Sequence, residues 1–238
     1  MTVHNLHKHI ITFLKSEAGT ANAGQSSDSY TGSTHKFYAV PVPVRRRFLK
    51  SLIKEHKSTT DAAAWLELVD TLFAGQSHEE KTMGAYLLDY LPAVRATVSL
   101  QRINGWLGEL VGWAEVDALC QNVFQPEELI QNWSAWEKFL TRLAKDSNIN
   151  KRRAALVFLT GPTSKSSDAQ LHSQAYKTIE LLKTEKDILI TKAISWLLRS
   201  MTDSQPDSVA QYVESNSDTL PKIAVRETRK KLRTGKKN

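Results

Sequence analysis

The sequence predicts an all-α fold of stacked helix pairs, and three observations predict it. Apolar residues recur at intervals of three and four rather than two, alternating β-branched runs are scarce, and segments of similar character return at a nearly constant period. The returning segments start near 42 (VPVRRRFLKSLIKEH), 78 (HEEKTMGAYLLDYL), 114 (AEVDALCQNVF), 150 (NKRRAALVFL), 188 (ILITKAISWLLRSM) and 220 (LPKIAVRETRKKL), 32 to 38 residues apart. Each interval leaves room for one further helix. A helix pair of that size cannot bury its apolar face alone, so neighbours stack, as in HEAT-like arrays. The chain therefore reads as one α-solenoid domain over 1–238.

Taken in order, the N-terminus MTVHNLHKHIITFLKSEAG forms a short surface helix. Its histidines His4, His7 and His9 have no partners at a convincing metal spacing, so no metal is expected. Residues 16–43 are rich in Gly, Ser and Thr and end in Pro41 and Pro43, which predicts an irregular segment. HEEK at 78–81 lacks the second histidine of a zinc-protease helix. In the third returning segment, Val116, Leu119, Cys120 and Val123 mark the buried side, while Trp113 and Asp117 form an i, i+4 pair at its rim. GPTSKSSD at 161–168 predicts a second loop. The helix from 188 groups Ile190, Ala193, Ile194, Leu197, Leu198 and Met201 on one face. Lys192, Trp196 and Arg199 fall opposite, where Trp196 either packs between cations or serves as an aromatic platform for a nucleotide. From 222 onward the tail carries eight Lys or Arg residues against Glu227 alone.

The bulk properties bound the function. The single cysteine, Cys120, forms no internal disulfide, which fits a reduced compartment. No apolar run approaches the roughly 18–20 residues that span a bilayer, and the N-terminus lacks a signal-peptide pattern, so a cytoplasmic, nucleoid-associated protein is expected, without a membrane partner. The net charge of +7 favours a polyanion. Stacking curves a helical array, so the charged openings of the returning segments would share one concave groove. That places Arg45, Arg46, Lys81, Lys151, Arg152, Arg153, Lys192, Arg226 and Arg229 there, beside the tail's Lys230. A groove of that sign suits a phosphate backbone. The plainer alternative is a set of solvated helix faces. Asp117 amid such cations repels phosphate, a cost that calls for an offsetting role, unless it neutralises an arginine such as Arg153.

These residues resemble the AlkD-type DNA alkylation-repair glycosylases, a family of HEAT-like helical solenoids. The resemblance runs from about Tyr30 to the basic tail, through SYTGSTHKFYAVPVPVRRR, HEEKTMGAYLLDYL, GWAEVDALC, NKRRAALVFL and ITKAISWLLR in the family's order and spacing. It implies an aspartate at Asp117 and two tryptophans, Trp113 and Trp196, that contact the deoxyribose of the lesion. It further implies a groove arginine at Arg153 and a DNA-contacting tyrosine at Tyr30. Two positions depart from the family pattern: Ala114 stands where an acid is usual and Asn150 where an aromatic is usual.

The function so implied is a monofunctional DNA glycosylase, acting as a monomer on double-stranded DNA. It removes positively charged alkylpurines such as 3-methyladenine and 7-methylguanine, with no cofactor and no metal. Cleaving the N-glycosidic bond builds positive charge on the sugar, which a fixed carboxylate stabilises most in the transition state. A cationic base already leaves readily and needs no acid to protonate it. Two other readings fit the sequence: a non-catalytic binder of bent, branched or damaged DNA on the same scaffold, which would not need Asp117 for base release, and an α-solenoid protein-interaction scaffold, which would show no salt-sensitive DNA binding.

Overall fold

The computed structural model describes residues 2–19, 31–121 and 123–236. Among them the regular structure is helical, apart from an isolated bridge between Lys36 and Ser77. In chain order the helices are α1 (Val3–Glu17), α2 (Val42–His56), α3 (Ala62–Phe73), α4 (His78–Tyr90), α5 (Pro92–Arg95), α6 (Leu100–Gly108), α7 (Trp113–Cys120), α8 (Pro126–Gln131), α9 (Trp133–Ala144), α10 (Ile149–Lys165), α11 (Ala169–Leu182), α12 (Ile188–Met201), α13 (Pro206–Ser215) and α14 (Lys222–Thr234). The returning segments are thus α2, α4, α7, α10, α12 and α14, and their starts agree with the sequence period to within two residues. The intervals hold one helix, or two in a row. Residues group into two compact units, 1–119 and 120–238.

In the first unit, α4 is the central element. Its start is fixed by a capping box in which the Ser77 hydroxyl accepts from the Glu80 amide, while the Glu80 carboxylate accepts from the Ser77 amide. Every residue from His78 to Leu88 is buried, because α2 and α3 pack against α4. A helix enclosed on all sides needs partners for its polar groups. Lys81 is 2% exposed and donates to the carbonyls of Phe73 (2.7 Å) and Gly75 (2.8 Å), closing the C-terminus of α3. α1 lies on α3 through Leu6, Ile10 and Leu14, one apolar row at i, i+4, i+8. Its His7 reaches Glu80 at 2.9 Å.

In the second unit, α10 takes the central place, packed by α9, α11 and α12, and α12 in turn packs on α14. The expected loop at 161–168 shortens: α10 continues through Gly161 and Pro162 to Lys165. Proline removes one helical hydrogen bond and usually ends a helix. Here burial of Thr160, Pro162 and Thr163 holds the turn, and the Thr163 hydroxyl donates to the Leu159 carbonyl at 2.6 Å. Asp168 then caps α11. No helix among the described residues is long and apolar enough to cross a membrane.

Candidate functional site

The residues of interest in the first unit sit on α7 and on what holds its first turn. Gly112, with φ +86°, swings the chain into the helix, and Gly32, with φ +66°, lies directly against it. A Cβ on Gly112 would stand 2.2 Å from the Gly32 carbonyl oxygen, so only glycine permits this approach. The helix then buries Val116, Leu119 and Cys120. Trp113 is left 37% exposed, an unusual setting for the largest apolar side chain, and Asp117 one turn later is half-buried.

Between them Glu115 points the other way. It is 1% exposed and accepts from the Ser33 hydroxyl (2.5 Å), His35 Nδ1 (3.0 Å), His78 Nδ1 (3.3 Å) and the Val111 amide (2.8 Å). Burial alone would raise the pKa of this carboxyl. The hydrogen bonds from His78, Ser33, Val111 and His35 outweigh it and hold the group below its ordinary range. Because an ionised carboxylate only accepts, both imidazoles carry their proton on Nδ1. Sequence reading passes over Glu115, since its side-chain partners lie 37 to 82 residues away. One local signal is present: an acid at the third position of a helix that follows a glycine.

The expected groove cations divide sharply. Arg45 is 4% exposed, donating to the Val40 carbonyl (2.9 Å) and the Thr82 hydroxyl, and Lys81 is the internal cap already described. Arg46 is half-exposed, lying 4.3 Å over the Tyr86 ring and 3.5 Å from Asp89. In the second unit Arg153 is 5% exposed and donates to the Leu189 carbonyl at 2.6 Å. Arg199 is 7% exposed, bonded to the Ser195 carbonyl and 3.4 Å from Glu227. Arg45, Lys81 and Arg153 therefore do not present the groove cations expected of them, and Arg199 is buried rather than exposed on the polar face of α12. A charged side chain at a core-facing angle stays inside once carbonyls and carboxylates meet its donors, and these four are so met.

The others remain at the surface to different degrees. Arg152 clasps Glu185 at 2.8 Å, and Lys151 stands 3.6 Å from Asp146. Lys192 is exposed and Trp196 half-exposed on α12, whose apolar face is buried as the periodicity predicts. On α14, Lys222, Arg226, Arg229, Lys230 and Arg233 border one open depression. Arg229 pairs with Glu214 at 2.6 Å, but both are largely exposed, so a phosphate could compete for it. Tyr30 lies outside the described residues. Among those described, no cluster of His, Cys, Asp or Glu could hold a metal ion.

Comparison with known proteins follows the same outline. The sequence model of a family described as DNA alkylation repair enzyme matches residues 11–232. A solved structure described as a predicted DNA alkylation repair enzyme from Enterococcus faecalis superposes with a TM-score of 0.72 at 19% identity, covering 92% of this chain and 98% of that one. At that identity the likeness is one of fold. No curated protein matches the sequence.

Proposed function

Because this chain belongs to the DNA alkylation repair enzyme family, we propose that it is a monofunctional DNA glycosylase for positively charged alkylpurines in double-stranded DNA. The observation that carries this reading is the Trp113–Asp117 pair: an exposed indole and a carboxylate one turn apart, at the start of a helix held by a buried network. In the proposed reaction the bond between C1′ and the alkylated base breaks, its electron pair leaves with the base and neutralises it, and water adds to the cationic sugar and gives up a proton to solvent. Asp117 stabilises the positive charge growing at C1′. Trp113, one turn from Asp117, offers a ring face to that sugar, whose developing charge is drawn to the aromatic quadrupole, and Trp196 is the second aromatic proposed for the reaction. The exposed cations of α14, with Arg46 and Lys192, supply contacts to phosphate.

The experiment is incubation with methylated duplex DNA followed by chromatography of the released bases. Free 7-methylguanine and 3-methyladenine are expected. Duplex that is bound but keeps its methylated bases would favour a non-catalytic binder instead.

A further inference from the structure

Resting on the glycosylase reading, we propose that Glu115 is a positioning residue for base release: its carboxylate fastens the start of α7, which carries Trp113 and Asp117, to the segment at 32–36.

Capping a helix takes one hydrogen bond, and the Val111 amide already provides it. The other three donors come from elsewhere. Ser33 and His35 belong to that segment, and His78 opens α4. The segment is itself docked on α4's start, the Lys36 amide donating to the Gln76 carbonyl and the His78 amide to the Lys36 carbonyl. One buried carboxylate thus joins three pieces of chain at a point two residues from Trp113 and two from Asp117. The contact reaches the indole directly: a Cβ on Gly32 would lie 3.0 Å from Trp113 Cδ1, so the ring edge rests on this segment. An eight-residue helix has little stability of its own, and its direction is set by such attachments. A displacement of about 1 Å at a reacting group can cost on the order of 100-fold in rate.

Glu115→Gln keeps the size but places an amide NH₂ among donors. We expect single-turnover release of 7-methylguanine at saturating enzyme to fall about 10- to 100-fold, while duplex affinity changes less than about twofold, since Glu115 faces no DNA. On an Asp117→Asn background the same substitution should cost clearly less than it does alone, because the group it positions has lost its charge. Ser33→Ala, a gentler change, should show a smaller loss with near-native melting. It decides the matter should Glu115→Gln melt below the assay temperature. A wild-type rate in whichever variant is folded, or equal losses on both backgrounds, overturns the positioning role. A wild-type protein that releases no methylated base overturns the glycosylase reading and this inference together, and the wild-type control alone tells the two failures apart.

Discussion

Trp196 shows how a single residue separates the catalytic account from a structural one. It is half-exposed on α12 between the fully buried Ser195 and Leu197. Trp196→Ala should leave melting nearly unchanged and slow base release about five- to thirtyfold, the kinetic equivalent of a cation–π contribution of roughly 1–2 kcal/mol. A large fall in melting temperature with unchanged release would identify a packing residue instead. The 3.6-residue period makes the buried face of α12 legible, because apolar side chains report their own burial. It misplaces Arg199 and Arg45, since a cation's burial depends on acceptors such as Glu227 and the Val40 carbonyl that no local spacing reveals. Glu115 is hidden for the same reason.

At the scale of elements, starts are easier to read than ends. Val42, His78 and Ile188 open their helices where apolar periodicity resumes, whereas α10 runs through Pro162 because the packing around it overrides the local signal. The first turns of α4 and α7 depend on carboxylates, which makes them sensitive to acid. Burial raises the Glu80 pKa, but hydrogen bonds from His7 and Ser77 lower it further, and Glu115 is depressed likewise. A carboxyl with a lowered folded-state pKa stabilises the fold above its unfolded pKa of about 4.3. That stability is lost as pH falls through the folded value. The melting temperature of the wild type should therefore drop steeply below about pH 4.5. Glu80→Gln should melt lower at neutral pH but show a flatter acid profile. Parallel curves for the two proteins would remove Glu80 from the acid response. For comparison, Leu87→Ala in the enclosed α4 should cost about 2–5 kcal/mol at any pH, read by denaturant unfolding.

Over the whole molecule, the net charge of +7 concentrates in the sequence after residue 221, and α14 displays much of it on one exposed face. Lys231 is less available, since it is tied to the Arg199 carbonyl and Asp203, so the informative substitutions are Arg226, Lys230 and Arg233 together to Gln. Duplex affinity should weaken for all sequences alike, and the log–log salt slope should shrink by about 0.9 for each phosphate that is no longer neutralised. Release at saturating enzyme should barely change. An unaltered salt slope would place the DNA-binding cations elsewhere. In the proposed mechanism binding and chemistry are separable, and Asp117 is assigned to the chemistry. The most direct measurement is single-turnover release of 7-methylguanine by Asp117→Asn at saturating enzyme, with its melting temperature and duplex affinity taken alongside. The expected result is a loss of roughly 100-fold or more, with the fold retained and affinity kept or tightened, because a negative charge has been removed near phosphate. Release at the wild-type rate would contradict the glycosylase mechanism proposed for this protein.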